Sequence, residues 1–296
     1  VYKRQIQTGW RYMFGSEAFV AMIFTVLVCF VPESPRYLAL AGKDGKALAI
    51  LTHINGREKA MKTLEAIKNS VDVKSEKLFS FGIMVIFVGV MLSVFQQAVG
   101  INAVLYYAPR IFDSMGMGNP MVQTVIMGIV NIVFTLVAVF TVEKIGRKPL
   151  LIWGSLGMAA GAVGVALSNV VAVAPVVPVI SIMVYSASFM FSWGPVCWVL
   201  ISEIFPNTIR SAAVAVAVAF QWIFNFIVSS TFVPLYNMSM GNMGDKFGHC
   251  FVYAMYGAIC IVAAIFVYKL VPETKGKTLE DMTNLWRKRN HQDRHR

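Results

Sequence analysis

The stretch FSFGIMVIFVGVMLSVFQQAVGINAVLYYAPRI, Phe79–Ile111, decides the fold. It carries no charged residue before Arg110. Crossing the hydrocarbon core of a bilayer takes about 20 mostly apolar residues, so the run reads as a membrane span. Six further runs of this kind flank it, near Tyr12–Val31, Met121–Val142, Leu150–Val171, Val176–Leu200, Ala212–Tyr236 and Cys250–Val271. Transmembrane β-strands would instead show short alternating segments. The expectation is an all-α membrane protein.

Composition agrees. The 296 residues are 57% hydrophobic and 14% charged, with a mean hydropathy of +0.65. Soluble domains average nearer half apolar and a quarter charged, and disorder needs low hydrophobicity. The net charge of +11 comes from 26 Lys+Arg against 15 Asp+Glu. Twenty-one of those 26 fall between spans one and two, after spans three and five, and from Lys269 at the end of the last span through the C-terminal tail. Basic loops stay in the cytoplasm, which puts the N-terminus outside and the C-terminus inside. The basic excess is thus topological, and no nucleic-acid partner is expected. An odd span count, an outside start and a first residue Val1 suggest the later part of a longer protein. Cys29, Cys197, Cys250 and Cys260 lie in or beside apolar runs without metal-like spacing, as small hydrophobes do.

The polar segment Gly42–Lys77 has helical character over Ala47–His53 and Ala60–Lys68, with Asn55-Gly56 as a break. The tail begins helix-like at Thr278 and ends in a basic run, Arg287–Arg296, the kind that faces water or lipid headgroups.

Ionisable side chains are nearly absent from the spans; Glu17, Arg110 and Glu143 fall near span ends. A bound molecule here should therefore be neutral. Neutral polar residues cluster instead: Gln96, Gln97, Asn102, Tyr106 and Tyr107 in span two, Asn131 in span three, Trp193, Gly194, Pro195 and Trp198 in span five, Gln221, Trp222 and Asn225 in span six. A carboxamide donates and accepts, as a hydroxyl does, and aromatic faces suit the C–H face of a sugar ring. An Asn or Gln in a membrane helix can also merely tie it to a neighbour. Residue type alone favours that role for Asn131 and Asn225, and an interfacial belt for Trp10 and Trp153.

Gln221 and Asn225 share a helical face, as do Gly194 and Trp198. Gln96 and Asn102 lie about 240° apart on an ideal helix and converge only if it breaks between them. Gly100 supplies that break, and Gly194-Pro195 supplies one in span five. Spans two to four and five to seven form two triplets, each opened by an interrupted helix. Paired interruptions of this kind point to a transporter site near the midplane.

Six strings in order carry a resemblance: Pro32-Glu33-Ser34-Pro35-Arg36, Gln96-Gln97-Ala98-Val99-Gly100-Ile101-Asn102, Gly146-Arg147-Lys148, Gly194-Pro195-Val196-Cys197-Trp198, Glu203-Ile204-Phe205-Pro206 with Arg210, and Pro272-Glu273-Thr274-Lys275-Gly276. On these the chain resembles the sugar porter family of the major facilitator superfamily over its whole length, with bacterial D-xylose/proton symporters nearest. The resemblance implies spans six to twelve of a twelve-span fold. Residues 1–31 would be an external stub and the last span of the N-terminal bundle, 32–77 cytoplasmic linker helices, 78–271 the C-terminal six-helix bundle, and 272–296 a cytoplasmic basic tail.

It further implies sugar contacts at Gln96, Gln97, Asn102, Tyr106, Asn131, Gly194, Trp198, Gln221 and Trp222, with Phe189 resembling an aromatic that helps enclose a pentose. Glu33, Arg36, Glu143, Arg147, Glu203, Arg210 and Glu273 resemble a cytoplasmic charge latch, with Glu143 where the family usually has Asp. The family's proton-carrying Asp, its Arg partner and one sugar-contacting Gln fall in the part that would precede this chain.

The expected function is secondary transport of a neutral sugar, D-xylose by resemblance, with a co-transported proton, across a bacterial inner membrane. A porter-like sugar sensor and a passive facilitator are the alternatives. No cofactor or metal is expected. An enzyme is disfavoured, since no G-x-S-x-G, H-E-x-x-H or P-loop string occurs.

Overall fold

The computed structural model describes residues 2–71, 78–114, 119–171, 174, 176–238, 244–277 and 279–294. All regular structure among them is helical, in fourteen helices. The chain divides into two compact units, Val1–Lys74 and Ser75–Arg296.

In the first unit α1 (Tyr2–Cys29) is continuous, with its apolar stretch at Gly15–Cys29. Then come α2 (Pro35–Leu40), α3 (Asp44–Asn55) and α4 (Arg57–Val71). Pro35 opens α2, where a missing N–H costs nothing. Gly56 ends α3 at the expected break. Ala47, Leu51 and Ala60 are buried as α3 and α4 pack together, and Lys68 pairs with Asp44 across them.

The second unit holds six helices long and apolar enough to cross a membrane: Ile83–Tyr106, Met121–Ile145, Arg147–Val170, Val176–Ile204, Arg210–Tyr236 and Phe247–Leu270. They contain α5 (Ile83–Ala98) with α6 (Ile101–Tyr106), α8 (Pro120–Ile145), α9 (Arg147–Val170), α10 (Val176–Phe191) with α11 (Trp193–Ile204), α12 (Arg210–Tyr236) and α13 (Asp245–Leu270). The short α7 (Ala108–Ser114) follows α6, and α14 (Leu279–Arg294) lies in the tail. Outward residues of α8, among them Val125, Ile129, Ile132 and Phe140, are exposed apolar side chains suited to lipid.

Helix α9 packs between α10 and α13. Lipid tails are as apolar as leucine, so membrane helices associate through close backbone approach at small residues. Gly154, Gly157, Gly161 and Gly164 face α10: a Cβ at Gly154 would lie 1.7 Å from Ser192 Oγ, and one at Gly161 2.7 Å from the Ser181 carbonyl oxygen. Toward α13 the approach is looser: a Cβ at Gly257 would lie 3.4 Å from the Ala162 Cβ, ordinary contact.

Both interrupted spans are broken. Gly100 separates α5 from α6 in a left-handed conformation, φ +86°. The second break lies at Ser192 rather than at Gly194-Pro195, which sit in the first turn of α11. Proline acts upstream: its ring clashes with the carbonyl four residues back, here Phe191, and it leaves that carbonyl without its N–H. The chain therefore turns at Ser192, φ −131° and ψ −87°, and resumes as helix with Pro195 where no N–H is needed.

The tail turns back onto the bundle. Trp286 is fully buried and its Nε1 donates to the Ile204 carbonyl at 2.9 Å, at the end of α11. Arg289 donates to the Leu270 carbonyl at 3.1 Å, at the end of α13. Within the basic run expected to face water or lipid headgroups, Arg287 and Lys288 are exposed, while the indole of Trp286 and the guanidinium of Arg289 satisfy two helix C-termini and draw part of α14 inward.

At Gly100 a Cβ would lie 2.5 Å from the Tyr256 ring, in a conformation that L side chains avoid. Gly100→Ala should cost about 1–3 kcal/mol from the backbone alone, with the ring contact adding to it. Gly128, which has nothing within 4 Å, is the control. Thermal unfolding of the purified protein in detergent should show a lowered Tm for Gly100→Ala and a near-native one for Gly128→Ala.

Candidate functional site

Between the two broken spans and α12 lies a cavity of about 350 Å³. Gln96, Gln97, Asn102 and Tyr106 reach it from either side of the Gly100 break. Phe189, Met190, Gly194 and Trp198 come from either side of the Ser192 break, and Gln221, Trp222 and Asn225 from α12. Among the described residues no acidic or basic side chain lines it. Gln96 and Asn102 meet because the left-handed residue between them re-aims α6.

The amides are partly committed to one another. Asn102 Nδ2 donates to Gln97 Oε1 at 2.7 Å. Gln96 Nε2 donates to the carbonyls of Trp193, at 3.1 Å, and Gly194, at 3.4 Å, tying α5 to the start of α11. Gln96 and Gln221 are only 3% and 4% exposed, yet among the described residues the Oε1 of each is buried without a hydrogen-bond partner. A buried polar atom without a partner costs about 1–3 kcal/mol, a cost that both oxygens leave uncompensated here. Trp198 and Trp222 are 45% and 63% exposed, leaving their faces open to a ring.

Nine of the ten residues expected at a sugar site line this cavity; Asn131 does not. Its Oδ1 accepts from Ser186 Oγ at 2.7 Å, so it ties α8 to α10. Trp193 is also structural: it is fully buried, and its Nε1 donates to Ser155 Oγ at 2.7 Å. Asn225 lines the cavity, signalled only by its spacing of four from Gln221. Met190 lines it too, with no sequence signal, being one apolar residue in an apolar run. Tyr107 points elsewhere and stacks on Phe232 with centroids 5.2 Å apart.

A second polar cluster sits at one end of the bundle, where α8 and α11 end, α9 begins and the segment after α13 passes. Arg147 is 6% exposed. It bonds Glu143 at 2.7 and 3.2 Å and Glu203 at 2.8 and 3.1 Å, two bidentate pairs from one guanidinium. Thr274 Oγ1 donates to Glu203 at 2.6 Å. Glu273 accepts from the backbone N–H groups of Arg147, at 3.1 Å, and Lys148, at 3.0 Å, where a helix N-terminus favours a carboxylate. It also accepts from its own loop at Thr274 and Lys275. Lys275 Nζ donates to the Lys144 carbonyl.

Of the other residues expected in a charge latch, Arg210 reaches the Phe205 carbonyl at 3.3 Å. Glu33 belongs to the first unit, where it lines a pocket with Lys43 and Lys46. The side chain of Arg36 lies outside the described residues.

The family model "Sugar (and other) transporter" matches residues 2–286. The chain is 47% identical over 283 residues to the D-xylose-proton symporter of Escherichia coli K12, covering 94% of this chain and 57% of that protein. It is 39% identical to the glucose facilitated diffusion protein of Zymomonas mobilis, over 95% of this chain and 60% of the relative. It is 37% identical to the arabinose-proton symporter of Bacillus subtilis, over 96% and 61%. The solved structure of the major facilitator superfamily proton:xylose symporter XylE bound to 6-bromo-6-deoxy-D-glucose aligns with a TM-score of 0.80 at 46% identity, over 94% of this chain and 59% of that one. The chain thus spans somewhat over half the length of the relatives it matches. A match of this extent, on six apolar spans, places it in a family of transporters rather than enzymes: the chain belongs to the sugar transporter family of the major facilitator superfamily.

Proposed function

We propose that this chain supplies the C-terminal half of a sugar/proton symporter that carries D-xylose across a bacterial inner membrane by alternating access. One observation carries the reading: the cavity combines five carboxamides with indole, phenol and phenyl rings and, among the described residues, no charged side chain. Such a lining bonds hydroxyls, covers a ring's C–H face and offers an ionised ligand no counter-charge. On this reading residues 1–31 end the N-terminal bundle and 32–77 are cytoplasmic linker helices. Residues 78–271 are the C-terminal bundle, and 272–296 a cytoplasmic tail. The proton-carrying group belongs to the preceding half.

The similarity to a glucose facilitated diffusion protein supports a second reading, passive facilitation. Uptake into vesicles separates the two: symport raises the medium pH as xylose enters and concentrates the sugar against its gradient, whereas facilitation does neither.

For sugar contact, Gln97→Ala and Trp198→Ala in the full-length protein should each weaken D-xylose binding about tenfold or more, about 1.4 kcal/mol or above. Calorimetry against wild type reads this directly. Unchanged affinity in both variants contradicts the assigned site, and D-glucose and L-arabinose titrations rank the competing substrates.

The cluster around Arg147 is assigned to holding the cytoplasmic side closed in one state. Conformational equilibria in transporters differ by a few kcal/mol, and losing Arg147 leaves Glu143 and Glu203 without their shared cation. Arg147→Ala should therefore reduce vesicle uptake at least tenfold while calorimetric xylose affinity stays within about threefold of wild type.

A further inference from the structure

The break at Gly100 re-aims one half of the candidate site, and it leaves a backbone carbonyl in need of a partner. Val99 caps α5 in a helical conformation, and Gly100 then turns left-handed. The N–H of Gly100 goes back to Gln97, and that of Val104 goes to Gly100. The Val99 carbonyl accepts instead from the hydroxyl of Tyr185 on α10. Within a bilayer no water is at hand to take that place.

The placement of Tyr185 is tightly determined. Its side chain is 1% exposed. The α9 backbone presses on it at Gly161, where a Cβ would lie 2.9 Å from Tyr185 Cβ. The Tyr256 ring covers Gly100 from another side. Tyr185 also belongs to the first half of the other broken span, seven residues before Ser192. The two broken spans are joined by Tyr185 to the Val99 carbonyl, by Gln96 to the carbonyls of Trp193 and Gly194, and by the Cys197 thiol to the Leu92 carbonyl at 3.7 Å.

We propose that Tyr185 is a positioning residue for the cavity: its hydroxyl caps the Val99 carbonyl and so holds the kink that brings Asn102 against Gln97. Tyr185 is not one of the residues that line the cavity. It acts through the angle between α5 and α6. The inference rests on the sugar-binding reading of the same site and adds to it a residue outside the lining.

The test compares two single-hydroxyl deletions in the full-length protein. Tyr185→Phe removes the cap and keeps the ring. Tyr253→Phe is the matched control, since among the described residues the Tyr253 hydroxyl is buried without a hydrogen-bond partner. D-xylose affinity is read by calorimetry. Hydrogen–deuterium exchange of the amides at Ile101–Tyr106, measured without sugar, reads the kink itself.

Tyr185→Phe should weaken xylose binding about tenfold and speed exchange over α6, with the fold retained and Tm modestly lowered because the Val99 carbonyl loses its partner. Tyr253→Phe should change neither readout. The proposal is overturned if Tyr185→Phe matches Tyr253→Phe, or if only one of the two readouts moves. It is equally overturned if Tyr185→Phe loses the fold while Tyr253→Phe keeps it, since the hydroxyl would then be a plain stabilising contact. Gln97→Ala in the same series separates the two claims. If it weakens binding and Tyr185→Phe does not, the positioning role alone fails. If Gln97→Ala and Trp198→Ala have no effect either, the site reading fails and takes this inference with it.

Discussion

A backbone carbonyl or amide inside a bilayer must find its partner within the protein, and the organisation of this chain depends on that constraint. An unbroken helix satisfies it locally, but it can present side chains to a cavity only at helical spacing. Breaking two spans brings together groups that a straight helix would hold apart, at the cost of freeing polar backbone atoms in an apolar medium. At Gly100 the freed carbonyl is met by the Tyr185 hydroxyl. Near Ser192, Gln96 reaches the first carbonyls of α11 from the neighbouring broken span. The two interruptions are thus tied to each other by side-chain to backbone hydrogen bonds.

These long-range partners work only if the helices carrying them are held in register. The glycine face of α9 sets the spacing from α10, and so fixes where Tyr185 sits relative to α5. Trp193, locked by Ser155 on α9, fixes the start of α11. The cavity is built from side chains, but its dimensions follow from backbone approach at small residues along a helix that contributes nothing to its lining.

At one end of the bundle the same logic runs on charge. Arg147 opens α9 and bridges the ends of α8 and α11, while Glu273 caps α9 from the segment after α13. Trp286 then closes the end of α11. Helix α11 therefore carries Gly194 and Trp198 at the cavity, Glu203 in the ionic cluster, and the Ile204 carbonyl under the tail. That continuity gives one rigid element a share in both polar sites.

The sequence by itself determined what depends on local pattern. Long apolar runs set the class and the spans, because hydrocarbon thickness fixes a length. Gly100 was legible as a break because Gln96 and Asn102 could not otherwise converge, and the candidate lining was legible as uncharged because the runs hold no charged residue away from their ends. Tertiary structure decided what depends on register between helices. Asn131 and Asn225 are the same residue type in similar apolar runs; only packing set one against Ser186 and the other at the cavity. Pro195 announced an interruption, but the clash it makes one turn earlier moved the turn to Ser192. Neither the shared guanidinium of Arg147 nor the inward turn of Trp286 could be read from spacing, since their partners lie 56 and 82 residues away along the chain. Periodicity reports which face of a helix is apolar; which neighbour meets that face, and at what height, is fixed by close packing in three dimensions.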